Sequence, residues 1–288
     1  MVDLHTHSNA SDGDLSPARL IREAVRQGLS AIALTDHDTI DGLKDAKNEA
    51  GEAEIRFIPG IEINISRKAL EDTCGLGPGG EFHLLGLGIR TPSAAFLDAI
   101  AELSRRRDAR NHEILEKMHE LSIEATMEDV RLFSGGHSVG RPHFASLLVS
   151  QKIVRTREQA FSRYLGAGKV LYVPKEGLEF DEAAALIRES GGIPILAHPM
   201  SLYVAWGHLP ELIRQLKYRG LAGIEAWHPA ARPRSCRRLE ELGKTLGIYV
   251  TEGSDFHGAV RPDRRLGFSC RERKITDRVL EAIPELNC

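Results

Sequence analysis

Residues 1–17 read MVDLHTHSNASDGDLSP, and they place two histidines and an aspartate directly after the first apolar stretch of the chain. Residues 2–5 are short and mostly apolar and are followed by polar residues, which predicts a strand. Ser16 and Pro17 then offer an N-cap and a proline at the first helical position, so a helix is expected to begin there. The opening therefore predicts a strand, a loop that carries reactive groups, and a helix.

The same alternation of short apolar runs and helical patterns continues along most of the chain. After the run SAIALT at residues 30–35, further strands are predicted at residues 57–65, 82–89, 193–197, 223–227 and 248–251. Helical patterns separate most of these runs, and this βαβ order predicts a mainly parallel α/β sheet. About seven strands are expected, which is enough to close a barrel.

Strand signals stop near residue 92 and resume near residue 170. Between them lie a long charged helical pattern and shorter ones near Met127, Pro142 and Arg157. We therefore expect a barrel domain built from residues 1–91 and 170–288, with residues 92–169 inserted as a helical subdomain that covers the substrate.

The composition is that of an ordinary globular protein, with 288 residues, 42% hydrophobic residues and a formal charge of −3. That charge predicts no strong non-specific hold on nucleic acid. The four cysteines are single and far apart, and no apolar segment has the length of a membrane span. These features predict a cytoplasmic protein that needs no membrane, and the sequence gives no sign of an obligate protein partner.

Histidine, aspartate or glutamate recurs at or near the ends of the predicted strands. Because residues two apart in a strand point to the same side, His5 and His7 are expected to project together. The carboxyl ends of parallel strands meet at one rim of a barrel, where active sites are built. The candidate metal ligands are His5, His7, Asp12, His37, Glu62, His83, His198, Asp255 and His257.

These ligand types indicate a particular chemistry. Imidazole and carboxylate without thiolate suit Mn²⁺, Zn²⁺ or Fe²⁺. Nine ligands exceed one site, so two or three divalent ions are expected, with Glu62 as a bridge between them. Such a cluster lowers the pKa of a bridging water and clamps the attacking and leaving oxygens of a phosphoester. The pattern therefore favours phosphoryl transfer to water.

The motifs HxH, DH after the second strand, GxE, a lone histidine, AHP and SDxH resemble those of the PHP (polymerase and histidinol phosphatase) metallohydrolases. This resemblance implies a distorted (β/α)7 barrel and metal-ligand roles for the nine residues named above. Asp12 is a departure, because some members of the family have histidine at that position. The expected metal is Mn²⁺, with Zn²⁺ or Fe²⁺ as alternatives.

The insertion resembles one branch of that family. The segments GHSVGRPHFASLLV (136–149) and FSRYLGAGKVLYVPKEGL (161–178) are similar to the branch that acts on nucleoside 3′,5′-bisphosphates and on 5′-phosphorylated RNA ends. Arg141, Lys175 and Ser138 would bind a second phosphate, and His228 would contact the substrate or protonate the leaving oxygen. The alternatives are a solvated position for Arg141 and Lys175 and a capping role for His228.

The leading hypothesis is a metal-dependent phosphoric monoester hydrolase that converts adenosine 3′,5′-bisphosphate to AMP and phosphate. A 5′-3′ exoribonuclease acting on short 5′-phosphorylated RNA is the second. Weaker alternatives are a histidinol phosphatase, a C–N hydrolase and a PHP module that binds metal without turnover.

Three further motifs are interpreted as structural. The run Arg105 to Arg107, with Arg110, is expected to be a solvated helix face. The GxGxxG match at residues 75–80 precedes a strand and contains proline, so a loop is predicted instead of a dinucleotide site. The GxSxG match at residues 136–140 follows no buried strand, so it does not predict a serine nucleophile.

Overall fold

The protein is described by a computed structural model that covers residues 1–67, 80–134 and 138–287. Its centre is a seven-stranded sheet in which the strands lie side by side in chain order. The strands are β1 (Val2–Asp3), β2 (Ala31–Leu34), β3 (Arg56–Asn64), β4 (His83–Leu87), β5 (Ile193–Leu196), β6 (Gly223–Trp227) and β7 (Tyr249–Glu252). Each one lies within or beside a strand that the sequence predicts.

One strand runs against the others. β4 is antiparallel to both β3 and β5, whereas β1–β2, β2–β3, β5–β6 and β6–β7 are parallel pairs. His83 begins β4, at the start of the predicted fourth strand, and in a wholly parallel sheet it would lie at the rim opposite the other candidate ligands. The reversal instead brings His83 to the same rim, because the amino end of β4 lies beside Asn64 at the end of β3.

The two edge strands, β7 and β1, approach each other, so the sheet nearly closes into the predicted barrel. The segment after β7 completes it, since the Asp255 amide donates to the His5 carbonyl at 2.9 Å and the His7 amide to the Phe256 carbonyl at 2.9 Å. A Cβ atom on Gly253 would lie 2.3 Å from the His5 Cβ, so only glycine fits at this crossing. The first and last predicted motifs are thereby held side by side.

Helices surround the sheet. They are α1 (Pro17–Arg26), α2 (Leu43–Glu52), α3 (Ala94–Glu120), α4 (Met127–Ser134), α5 (Arg141–Ser150), α6 (Arg157–Ala160), α7 (Phe180–Glu189), α8 (Leu209–Tyr218), α9 (Pro233–Leu246) and α10 (Arg278–Glu281). The Ser16 side chain caps α1 by accepting from the Arg19 amide, with Pro17 at the first position, as predicted. A short hairpin of β8 (Phe268–Ser269) and β9 (Arg273–Lys274) lies near the carboxyl end.

The insertion has an apolar cluster of its own. Met118 of α3 and Phe144 and Leu148 of α5 are completely buried in it. The domain boundaries at residues 92 and 169 stay a prediction. None of the helices in the described ranges is long and apolar enough to cross a membrane. Cys236 and Cys270 are buried free thiols, whereas Cys74, Cys288, residues 75–79 of the GxGxxG match and Gly136 of the GxSxG match lie outside the described residues.

Candidate metal centre

The Glu62 carboxylate lies at the centre of the candidate site. Glu62 lies in β3 and is completely buried, and its backbone pairs with that of His37 through an isolated parallel bridge. Its two oxygens lie within 3.3 Å of five imidazole nitrogens, which belong to His5, His7, His37, His83 and His198. One carboxylate is thus shared by five imidazoles from four different segments of the chain.

Two aspartates complete the cluster on its other side. Asp12 Oδ1 lies 3.2 Å from His257 Nε2, and Asp255 Oδ1 lies 3.4 Å from His7 Nε2. The loop that carries Asp12 is held by Asp36, which accepts hydrogen bonds from Ser8 and Ser11. The acidic side chain in the opening loop is therefore brought to the rim by a buried polar network.

Ligand atoms that lie within 4.8 Å of one another form four groups. These are His7, Asp12, His37 and His257; His5, His7 and Asp255; His5, Glu62 and His198; and His37, Glu62 and His83. The structure thus brings all nine predicted ligands together. Because His5, His7, His37 and Glu62 each belong to two groups, the arrangement suits neighbouring ions that share ligands.

Hydrogen bonds fix the tautomer of three of the histidines. His5 Nδ1 donates to Glu225 Oε1 at 3.0 Å, and His257 Nδ1 donates to the Asp255 carbonyl at 2.8 Å. His198 Nδ1 lies 2.6 Å from the Ser201 hydroxyl, which itself donates to the Glu81 carbonyl. The Nε2 atom of each ring is therefore left as an acceptor that faces the cluster, which is the form that binds a metal.

Several buried atoms at the centre lack a hydrogen-bond partner within the described part of the chain. They are His7 Nδ1, His37 Nδ1 and Glu62 Oε2. His37 Nδ1 and Glu62 Oε2 lie 3.0 Å apart without the geometry of a hydrogen bond, and all three atoms lie among nitrogen and oxygen atoms of the kind that divalent transition metals prefer. The residues present therefore fit a metal cluster.

The pKa values of the metal-free protein reflect the same crowding. Burial disfavours the charged form of Glu62, but the surrounding histidines, His37 foremost, outweigh it and hold its pKa well below the ordinary value. Burial likewise opposes protonation of His7, yet hydrogen bonds to Asp255 and Glu62 raise its pKa to about 10. Without metal, the cluster therefore favours the protonated form of His7.

A cavity of about 970 Å³ opens over the cluster. Ser138, Arg141 and Lys175, the predicted phosphate-binding residues, all line it. The Arg141 guanidinium lies 5.5 Å from the centre of the Tyr172 ring, and Lys175 Nζ donates to Asn64 Oδ1 at 3.1 Å. Both side chains are partly buried at the cavity wall, so the solvated alternative does not describe them.

Two arginines of the Arg-rich run also face this cavity. Arg107 donates to Asp38 Oδ2 at 2.5 Å, to the His37 carbonyl at 3.1 Å and to Ser138. Arg110 is 8% exposed, and burial together with the nearby charge of Arg141 lowers its pKa to about 10. The expectation of a solvated face is thus wrong for Arg107 and Arg110, because their side of α3 packs against the rim.

The comparison with protein families agrees with this geometry. A family model described as PHP domain matches residues 3–165, more than half of the chain. The chain belongs to the PHP domain family. Its last three candidate ligands, His198, Asp255 and His257, lie beyond the matched range.

Relatives of this PHP protein are similar to it over most of its length. It is 31% identical over 259 residues to the 5′-3′ exoribonuclease Rnm of Salmonella typhimurium, covering 89% of this chain and 85% of the relative. It is 28% identical over 269 residues to the 3′,5′-nucleoside bisphosphate phosphatase of Chromobacterium violaceum, covering 92% and 90%. A solved structure of a proposed metal-dependent phosphoesterase from Bifidobacterium adolescentis superposes with a TM-score of 0.83 at 26% identity, covering 99% and 96%.

The PHP family, these relatives and the ligand groups agree on the class of enzyme. The protein is a metal-dependent hydrolase that acts on phosphate esters.

Sequence reasoning missed Glu225, a carboxylate that supports the PHP centre without belonging to the ligand groups. Its Oε1 accepts from His5 Nδ1, and its Oε2 accepts from the His198 amide at 2.8 Å. The available signal is a single charged residue inside the otherwise apolar strand GIEAW at residues 223–227. A buried charge in a strand needs a partner, so this position could have been singled out.

His228, a predicted substrate contact, lies behind Asp255. Its Nδ1 accepts from the Ala230 amide at 3.2 Å, its Nε2 donates to Asp255 Oδ2 at 3.2 Å, and burial lowers its pKa. It lines a smaller cavity together with Arg264, a buried arginine whose Nε has no hydrogen-bond partner among the described residues. The geometry favours a role in orienting Asp255, and contact of His228 with substrate stays a prediction.

Proposed function

We propose that the protein hydrolyses the 3′-phosphate of nucleoside 3′,5′-bisphosphates and converts adenosine 3′,5′-bisphosphate to AMP and phosphate. One observation carries the proposal: a single cavity contains both the metal-binding cluster and a separate set of cations. A substrate with two phosphates on one ribose needs both. The similarity to the nucleoside bisphosphate phosphatase supports the same assignment.

The cations that line the cavity repel one another and therefore favour the binding of an anion. Burial, Arg141 and Arg107 lower the pKa of Arg110, and burial, with Arg141 and Arg110, lowers the pKa of Lys175 although Glu81 opposes this. Such mutual repulsion is relieved when a phosphate enters between the groups. Arginine can bind the phosphate with two parallel hydrogen bonds, and lysine can bind it as a point charge. We assign the 5′-phosphate to these residues.

The 3′-phosphate would lie against the nine ligand residues. When bound there, two or three divalent ions, Mn²⁺ by preference and Zn²⁺ or Fe²⁺ as alternatives, would activate water and neutralise charge on the phosphate. In the net reaction, water adds to phosphorus, the bond between phosphorus and the 3′-oxygen breaks, and that oxygen gains a proton. The protein's own part is to hold the two phosphates apart in one orientation.

A second candidate is 5′-3′ exoribonuclease activity on short RNA, favoured by the 31% identity to the exoribonuclease Rnm. A 5′-phosphorylated RNA end presents the same 5′-phosphate, and its first phosphodiester lies at the same 3′-oxygen. One site can therefore serve both substrates. In both reactions the leaving group is the 3′-oxygen of a nucleoside 5′-monophosphate, and the distinction is whether the attacked phosphoryl group carries no further substituent or carries the remainder of the strand.

The test measures turnover by the Mn²⁺-loaded protein on adenosine 3′,5′-bisphosphate, a 5′-phosphorylated oligoribonucleotide, its 5′-hydroxyl counterpart and histidinol phosphate. We expect turnover of the two 5′-phosphorylated substrates and little of the others. His5→Ala should abolish it, because His5 belongs to two ligand groups. Absence of turnover on the whole panel, or full activity of His5→Ala, would refute the proposal.

A second variant tests the cationic set. Arg141→Ala should raise the KM for the bisphosphate about 10- to 100-fold, since a charge-assisted hydrogen bond contributes roughly 1.5–3 kcal/mol. Its KM for a simple aryl phosphate should stay unchanged. Arg105→Ala is the matched control, because Arg105 belongs to the same insertion but is 71% exposed and paired with Glu102. Equal effects of Arg141→Ala on both substrates would contradict the assignment.

A further inference from the structure

The segment that follows α5 is unusually basic. Residues 152–175 contain six cations against one acid, Glu158, in a chain with a formal charge of −3. The cations are Lys152, Arg155, Arg157, Arg163, Lys169 and Lys175. Positive charge is therefore concentrated in one stretch of the insertion.

α6 and the π-turn Phe161–Leu165 follow one another directly within this segment, and we call these residues the ridge. Arg157, Glu158, Phe161 and Ser162 line the substrate cavity. Arg155 and Arg163 line a different hollow.

A separate hollow lies against this segment. Lys152, Arg155 and Arg163 line a hollow of about 340 Å³ with Gln159 and the side of residues 153–154. We call these three cations the lid strip. Arg155 of the strip is two residues from Arg157 of the cavity wall, and Lys169 lies at the cavity wall on the same segment.

The lid strip carries no compensating charge. Lys152, Arg155 and Arg163 are exposed, and none of them forms an ion pair within residues 1–67, 80–134 and 138–287. Several other surface cations have carboxylate partners, as in Arg22–Glu49, Arg26–Glu23 and Lys244–Glu240. The strip is thus a surface that attracts a polyanion.

We infer that the lid strip binds the phosphate backbone of an RNA strand whose 5′-phosphorylated end occupies the cavity. The inference rests on the proposed exoribonuclease function. A nucleoside bisphosphate ends inside the cavity and cannot reach across the ridge. A longer strand must leave the cavity, and crossing the ridge brings its backbone to Lys152, Arg155 and Arg163. The strip would therefore select for strand length without reading sequence.

The test is the triple variant Lys152→Ala/Arg155→Ala/Arg163→Ala. Its kcat/KM for a 5′-phosphorylated octaribonucleotide should fall about tenfold or more, and the salt dependence of that value should weaken, by roughly 0.7 in logarithmic slope per lost phosphate contact. Its kcat/KM for adenosine 3′,5′-bisphosphate should be unchanged. The matched control, Arg19→Ala/Lys44→Ala/Lys47→Ala, removes three exposed cations from α1 and α2 and should leave both substrates unaffected.

Binding is measured separately by the fluorescence anisotropy of a labelled octaribonucleotide with metal-free protein. We expect the triple variant to bind more weakly than the control variant. Unchanged RNA cleavage and binding in the triple variant would overturn the inference, as would an equal loss on the bisphosphate. If the wild type cleaves neither substrate, the proposed function fails, and the anisotropy comparison alone decides whether the strip binds RNA.

Discussion

Glu225 is the residue on which the orientation of two candidate ligands depends. It accepts from His5 Nδ1 and from the His198 backbone amide, so it fixes the ring of one ligand and the loop of the other. Glu225→Gln keeps the size of the side chain but loses its charge and one acceptor. Removing such support typically lowers metal affinity about 10- to 100-fold. We expect a drop of that size in Mn²⁺ titrations against a competing chelator.

The control for this variant is Glu252→Gln. Glu252 is also a buried glutamate on a neighbouring strand, but it pairs with Arg273 and Ser269 and belongs to none of the ligand groups. Its substitution should lower stability and leave metal affinity unchanged. Equal losses of metal affinity in both variants would mean that Glu225 acts only through folding.

Among single residues, the sequence predicts the metal ligands better than it predicts the residues that hold those ligands in place. His5, His198 and Asp255 could be found because each lies at or soon after the end of a predicted strand, and the strand ends of one barrel converge. Glu225 and Arg110 escaped because their roles depend on what packs against them. A glutamate within a strand and an arginine on a helix become functional candidates only after the opposite side of the contact is known.

The direction of β4 shows how an element can be misjudged from its residues. A parallel pair needs a crossover connection, normally a helix, whereas an antiparallel pair does not. The sequence offers no helical pattern between residues 65 and 82, only glycine-rich turns. An antiparallel β4 was therefore predictable from the connection, although the strand itself reads like its parallel neighbours.

Gly177 is the point where the segment carrying Lys175 meets β3. The Leu178 amide donates to the Asn64 carbonyl at 3.0 Å, and a Cβ on Gly177 would lie 2.5 Å from that carbonyl oxygen. Gly177→Ala should therefore push this segment off β3 and cost about 1–3 kcal/mol in the free energy of unfolding, as overpacking does. The displacement of Lys175 should also raise the KM for the bisphosphate. Urea unfolding and steady-state kinetics measure the two effects.

Gly51→Ala provides the comparison. Gly51 lies in α2, and nothing is within 4 Å of where its Cβ would stand. Alanine there should stabilise the protein by about 0.5–1 kcal/mol through helix propensity, without a change in KM. If Gly177→Ala behaves like Gly51→Ala, the close contact with β3 does not hold Lys175 in place.

For the whole molecule, the strands and helices of the barrel were predictable from the sequence, but the packing of the insertion against the barrel rim was not. Alternating apolar runs and helical patterns determine the barrel, because each strand must be buried and each helix must cover it. The insertion is visible as a loss of strand signals, but nothing in its residues says which helix face meets the rim. The cavity that Arg107 and Arg110 share with His37 is a product of that packing.

Metal and protons compete for the centre, so the whole protein should respond to pH differently with and without metal. In the metal-free state, the pKa of His7 is about 10, against 6.5 for an ordinary histidine. A raised histidine pKa contributes stability that is complete below 6.5 and is lost as the pH rises toward 10. The free energy of unfolding of chelated protein should therefore fall across this window, as urea unfolding at successive pH values would measure.

The Mn²⁺-loaded protein should keep its stability over the same pH window, because bound cations replace the protons on the imidazoles and coordinate them in neutral form. The gap between the loaded and chelated curves should thus widen from pH 6.5 upward. Toward acid, Asp12, Glu62 and Asp255 have pKa values well below the ordinary 3.8 to 4.5, so the stability that they contribute to the metal-free protein is lost only as the pH falls below that range. His112→Ala, at an exposed position of α3, should leave both curves in place. Parallel curves for loaded and chelated wild-type protein would contradict a shared site for metal and protons.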